Sequence, residues 1–237
     1  MNATSFEGFR ELMAESSIKP QRFMGKKIVY INSNKMRSSS GKNIEFCIYG
    51  LHEDFPEAIA KDEIFIDDSL KPSELPKIFK GIRTRIDCRL KGKSKDHSYK
   101  SSMHREKKFR SDSMKKVSRL RTYTSLSDRR GIINVYVVSG EVVRDKYKTD
   151  FSQGGHGYVY DWIPKDEIWL EEEESDEFPA ILGHEYFEMM MMRELGMSYE
   201  DAHEEASKIE KMLRDNRFSK SDFGIMLKAG QLLLSPD

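Results

Sequence analysis

Ile59-Ala60-Lys61-Asp62-Glu63-Ile64-Phe65-Ile66 and Ile163-Pro164-Lys165-Asp166-Glu167-Ile168-Trp169-Leu170 follow one pattern, a Lys-Asp-Glu turn running into apolar residues. The match extends in both directions. Each copy is followed by an acidic stretch and then by Leu75-Pro76 or Phe178-Pro179 at the head of a helix-like segment. Upstream, Lys27-Ile28-Val29-Tyr30-Ile31 corresponds to Ile133-Asn134-Val135-Tyr136-Val137. Downstream, Ser98-Tyr99 and His104-Arg105-Glu106 echo Ser198-Tyr199 and His203-Glu204-Glu205, with one residue of slippage. Ordered matches on both sides of a shared segment point to a duplicated unit. The expected organisation is an N-terminal helical extension over 1–24, a first unit over 25–110, a basic linker over 111–130 and a second unit over 131–237.

Local patterning predicts the same plan in each unit, and it is clearest in the second. Val135-Tyr136-Val137-Val138 is a β-branched and aromatic run stopped by Ser139-Gly140, a strand entering a turn. Gly157 to Asp161 alternates, and Glu167 to Leu170 follows after Pro164, which predicts a hairpin or meander. A helix is expected from about Glu177 to Leu195, with Pro179 in its first turn and Gly196 ending it. Ser198 with Asp201 three residues on is a capping signature for a second helix. Its apolar stripe is Ala202, Ala206, Ile209 and Leu213. A further short helix is expected over Ser221–Leu234. The fold class is therefore α+β, each unit a small antiparallel sheet followed by a helical pair.

Composition bounds the chemistry. The 237 residues carry 40 basic and 40 acidic side chains, and no apolar run approaches the roughly 20 residues of a spanning helix. The first residues lack the basic-then-apolar order of a secretion signal. Cys47 and Cys88 cannot make a disulfide framework or a zinc ribbon, so a reducing cytoplasm is the expected compartment. The zero net charge conceals a separation. Arg89–Arg130 holds 15 Lys/Arg against 4 Asp/Glu, whereas Asp161–Glu210 holds 3 against 17. Such blocks either attract each other within the molecule or present a basic face to nucleic acid or another polyanion. Arg89, Lys91, Lys93, Lys107, Lys108, Lys115 and Lys116 are the candidates for the second role. Tyr99, Phe109 and Tyr123 are too sparse to specify a nucleic-acid module.

The chemistry-bearing segment is Leu182-Gly183-His184-Glu185-Tyr186-Phe187-Glu188. On a helix, His184 and Glu188 are four apart and share a face, so both can hold one ion. Glu185 stands next to the first ligand, where a zinc peptidase places the carboxylate that takes a proton from the attacking water. The string is HExxH with its second histidine replaced by glutamate. If the two helices fold back at Gly196, His203 reaches the depth of Glu188 and His184 lies one turn beyond, about 6 Å along the axis. An ion between crossing helices bridges that offset, so His184, Glu188 and His203 form a two-His-one-carboxylate set with an open position. The set suits zinc and also iron. Met189 to Met192 make the helix apolar nearly all round and imply that it is buried.

Over about 133–210 the chain resembles small zincin-like, metallopeptidase-like domains of prokaryotes and phages. The resemblance is carried by YVYDWIPKDEIWL, LGHEYFE and RELGMSYEDAHEEA. It implies metal ligation by His184 and His203, with Glu185 as base and Glu188 as a further ligand, and a peptide or protein as substrate. Similar domains also carry a Gly-Gly-His before the second strand, here Gly154-Gly155-His156. Gly155 would let a substrate backbone approach, and His156 would contact the reacting group. The first unit lacks this set. Gly81 and Ile82 stand where the second unit has His184 and Glu185, and Arg85 stands opposite Glu188. It is expected to be a catalytically dead copy, with His52, His97 and His104 at the surface.

Overall fold

A computed structural model describes residues 19–33, 48–107, 117–128, 131–148 and 150–216. The short helix expected over Ser221–Leu234, and residues 1–18 of the expected N-terminal helix, lie outside the described residues. The chain divides into two compact units, 1–115 with 141–150 and 116–140 with 151–237. Both have the same architecture, an α+β arrangement built on a four-stranded mixed sheet.

In the first unit the strands are β1 (Arg22–Phe23), β2 (Lys26–Ile31), β3 (Tyr49–Leu51) and β4 (Glu63–Asp67), in spatial order β1-β2-β4-β3. In the second they are β5 (Arg119–Asp128), β6 (Gly131–Val138), β7 (Gly154–His156) and β8 (Glu167–Glu171), in order β5-β6-β8-β7. The outer pairs are antiparallel and the central pair is parallel in both sheets. The two Lys-Asp-Glu segments lead into β4 and β8, each one of the two central strands of its sheet. Their partners are also the matched segments, with Ile28 beside Ile64 and Val135 beside Ile168.

The parallel pair corrects the expectation of an antiparallel sheet. The central strands are joined not by a tight turn but by a connection of more than two dozen residues, long enough for the crossover that a parallel pair requires. The edge strand is displaced too. The alternation over Gly157–Asp161 falls in turns, and the strand pairing with β8 is the preceding Gly154–His156.

Two boundaries also move. Residues 119–128, expected within a basic linker, are strand β5 paired along β6. The Arg residues hid the alternation of Thr122, Tyr123, Thr124 and Leu126, of which Tyr123 and Leu126 pack on the core. Their charge is met locally: Arg119 grips Glu167 through two bonds of 2.9 and 2.6 Å, and Arg121 lies 3.9 Å from Glu172. Arg22–Phe23, expected in a helical extension, is instead β1, turned into β2 through Met24 and Gly25 at positive φ.

Helices cover each sheet. The first unit has α1 (Leu75–Leu90) and α2 (Lys95–Lys107), and the second has α4 (Phe178–Leu195) and α5 (Tyr199–Asn216). α1 buries Leu75, Ile78, Phe79 and Ile82, the spacing of one helical face, against Ile28, Ile64 and Ile66. Pro76 and Pro179 occupy first turns, where a missing N–H is harmless. Gly196 adopts φ 64°, a left-handed turn that ends α4, and the Met197 N–H returns to the Met191 carbonyl at 3.3 Å. Ser198 Oγ then accepts the Asp201 N–H at 3.2 Å and starts α5. No helix among the described residues is long and apolar enough to cross a membrane.

Between β6 and β7 runs α3 (Gly140–Lys146), and residues 141–150 fold with the first unit. Arg144 there forms a buried ion pair with Glu74, Lys77 pairs with Asp145, and Lys71 with Glu141 at 2.7 Å. Arg144 and Glu74 are both 3% exposed, so removing one partner leaves a desolvated charge. Arg144→Met should therefore cost about 3–5 kcal/mol, whereas Arg144→Met combined with Glu74→Leu should recover most of it. Urea unfolding of both variants checks this. A double variant as unstable as the single one would show that the pair is not the source of the loss.

Candidate metal centre

The parallel pairing of β6 with β8 leaves the far edge of β8 to β7, with Gly154, Gly155 and His156 opposite Leu170, Trp169 and Ile168. α4 packs on β7 and β8. The approach is close. A methyl group on Gly154 would stand 3.0 Å from the Ile181 side chain and 3.2 Å from Cγ of Glu185. One on Gly157 would stand 2.3 Å from the Pro164 carbonyl oxygen, so the turn after β7 tolerates no side chain. Gln153, at φ 64°, enters the strand with its N–H held by Glu171 at 2.9 Å.

This geometry delivers His156 to α4. Its Nε2 lies 3.0 Å from Oε1 of Glu188, and both residues are buried. The other oxygen of Glu188 faces α5: Oε2 is 2.6 Å from His203 Nδ1 and 3.4 Å from His184 Nε2. The two ring nitrogens are 3.1 Å apart. The packing of α4 against α5 absorbs the one-turn offset between His184 and Glu188, and the His184 and His203 rings meet edge to face with centroids 4.7 Å apart.

Three ligand atoms held at about 2.0–2.2 Å around a tetrahedral ion stand roughly 3.4 Å from one another. The separations of 3.4 and 3.1 Å come close to that, and the 2.6 Å edge is a contracted hydrogen bond. His184, Glu188 and His203 thus could hold a metal ion, and so by distance could a second group, His156 with Glu185 and Glu188.

The charges in the cluster are set by burial and by contacts among its own members. Burial works against the Glu188 charge, but bonds from His156, His184 and His203 hold its carboxyl well below the usual range. Burial also pushes the neighbouring Glu185 carboxyl up, and the Glu188 charge adds to that. Burial would lower His184, yet its contacts with Glu188 and Glu210 overcome this and push it up to about 10. Without a metal, an imidazolium supplies the positive charge that the carboxylates need.

Sequence reasoning missed the support behind His184. Glu210 Oε2 lies 2.9 Å from His184 Nδ1, at ion-pair distance though off the angle of a good hydrogen bond. Arg214 holds Glu210 through Nε and Nη2 at 3.0 and 2.8 Å and reaches Glu177 with its other nitrogen. Burial would raise Glu210, but its contact with His184 and the charges of His184 and Arg214 keep it down at about 2. A carboxylate on Nδ1 fixes the tautomer that leaves Nε2 free for a metal. The available signal was the seven-residue spacing from His203 to Glu210, two turns on one face of α5.

The other sequence candidates sort themselves by position. Glu185 is half-buried, on the side of the cluster nearer His156. Gly155 is buried, with the Tyr160 ring where a side chain would be, so it lines no open surface. Arg89, Lys91, Lys93 and Lys107 are exposed in the first unit, Arg89 also lying 3.3 Å from Glu53. Lys108, Lys115 and Lys116 are outside the described residues. His97 and His104 are exposed, while His52 is partly buried with Nδ1 on the Ile59 carbonyl at 2.7 Å. In the first unit Gly81 leaves a gap that the buried Glu106 carboxylate fills, and Arg85 pairs with Asp54 at 2.5 Å and Glu53 at 3.4 Å. Both candidate metal groups among the described residues lie in the second unit.

A pH dependence follows for protein kept in chelator. His184 is raised from its ordinary 6.5 to about 10, so its stabilising charge is fully present below 6.5 and lost as pH rises through 10. The slope has a ceiling of about 1.4 kcal/mol per pH unit for one proton. Urea midpoints across this range should fall for the wild type, and His184→Gln should flatten the fall. An identical slope in the variant would remove His184 as its cause.

No family model, curated protein or solved structure matches this chain.

Proposed function

We propose that the second unit is a zincin-like, metal-dependent hydrolase acting on peptide or protein bonds. The observation that carries this is the convergence of His184 Nε2, His203 Nδ1 and Glu188 Oε2, with the half-buried Glu185 beside them. The set of two imidazoles and one carboxylate suits zinc, and iron is the other metal that accepts it. A divalent ion held there would supply Lewis acidity toward the carbonyl of the scissile bond. Glu185 takes the proton from the attacking water and passes it to the leaving amine. Its raised pKa suits both halves of that exchange near neutral pH. Glu210 and Arg214 keep His184 in the ligating tautomer, and the buried α4 gives the ligands a rigid base. The first unit, with Gly81, Ile82 and Arg85 at the corresponding helix positions, takes no part in the chemistry.

Elemental analysis of the purified chain should find near-stoichiometric zinc or iron, and His184→Ala should abolish it. Glu185→Gln should keep the metal and lose about 10²–10⁴ in rate against any substrate found in a peptide library. Absence of bound metal after incubation with either ion would end the metal-centre reading. Metal retained by wild type and Glu185→Gln, with no cleavage by either, would leave a structural metal site instead of a hydrolase.

A further inference from the structure

His156 belongs by distance to a second group of metal-ligating type, with Glu185 and Glu188, and the resemblance would have it touch substrate. Its hydrogen bonds argue for neither role. The ring is fully buried at the end of β7, so it offers no surface to a substrate. Its Nδ1 accepts the backbone N–H of Tyr158 at 3.2 Å. A nitrogen that accepts an N–H carries a lone pair and no proton, so the single proton of the ring sits on Nε2. That proton points at Glu188 Oε1, 3.0 Å away. Nε2 then has no lone pair for a metal.

We infer that His156 is a positioning residue that locks the Glu188 carboxylate for metal binding, a role resting on the metal-centre reading above. Glu188 has two equivalent oxygens and, buried without a fixed donor, could turn either of them, or both, toward an ion. The Nε2–H of His156 occupies Oε1 and leaves Oε2 directed at His184 and His203. The carboxylate becomes a one-oxygen ligand in a fixed plane, which keeps the remaining coordination position open. The backbone secures the tautomer. The Val159 and Tyr160 N–H groups both return to the His156 carbonyl, at 3.1 and 3.0 Å, forming the turn that brings the Tyr158 N–H onto the ring. The bare Cα of Gly157 lets that turn close against Pro164. The centre is accordingly mononuclear, with His156 behind its carboxylate ligand as Glu210 stands behind its histidine.

Three chains test this by zinc titration and by the visible spectrum of the cobalt-substituted protein: wild type, His156→Leu and His156→Gln. The Gln amide can place an N–H near Nε2, whereas Leu cannot donate. Wild type should bind one ion. His156→Leu should still bind one but about 10–100-fold more weakly, with a shifted cobalt spectrum, and His156→Gln should recover most of both. Two ions in wild type with one lost in His156→Gln would make His156 a ligand and overturn the inference. Equal affinity and spectrum in all three would overturn it while leaving the metal centre standing. No metal in wild type would overturn both. Should His156→Leu fail to fold, long-range nitrogen NMR of metal-free and zinc-loaded wild type decides the question. The ring must show the Nε2–H tautomer in both states, and an Nδ1–H signal in either would refute the role.

Discussion

A carboxylate buried among three imidazoles, Glu188, is the constraint on which the second unit depends. Its charge is removed from water, and an unpaired buried carboxylate costs several kcal/mol, so its neighbours must be both present and oriented. Each comes from a different element: His184 from the same helix, His203 from the helix packed beside it, His156 from a strand edge. The parallel β6–β8 pair brings β7 to the helix, and Gly154 and Gly157 let the backbones close to the distance the His156–Glu188 bond requires. Gly196 reverses the chain so that α5 can return His203. The apolar core of Val135, Ile168, Leu182 and Tyr186 holds these elements in place. The polar cluster and the hydrophobic core are therefore one packing problem.

The fold was legible where information is local. The Lys-Asp-Glu segments found the central strand of each sheet because a turn followed by apolar residues is a short-range pattern, and Pro179, Gly196 and Ser198 bounded the helices by their own backbone preferences. Strand direction was not legible, since nothing within β4 or β8 records whether the chain has crossed over before reaching it. β5 was hidden for a different reason. Arg119 and Arg121 are long side chains whose charge reaches Glu167 and Glu172 beyond the strand itself, so a paired edge reads as a solvated linker. The site divides along the same line. His184 and Glu188 were visible from helical spacing, and His203 from the turn between helices. The bond from His156 spans 32 residues and joins a strand to a helix, and no periodicity in the sequence reports it. Glu210 was lost among many acidic residues until its distance to His184 singled it out.

The duplicated fold meets the same buried position twice, with opposite charge. The eleventh residue of α1 is Arg85 and the eleventh of α4 is Glu188. Each is buried in its unit and ringed by groups of complementary character. Around Arg85 these are Asp54, Glu53 and the face of Tyr49, whose hydroxyl donates to Glu106 at 3.2 Å. Burial works against its charge, but the Asp54 bond and the surrounding charges keep the guanidinium protonated, with its pKa raised further. Every charge in that cluster is covalently part of the chain, and a guanidinium has no lone pair to exchange. Around Glu188 the partners are imidazoles, whose nitrogens carry either a proton or a lone pair. The first arrangement is built of fixed charges. In the second, the groups facing the carboxylate are His156, His184 and His203. At this one helix position the two units thus differ in whether the partners of a buried charge are fixed carboxylates or imidazoles that exchange protons.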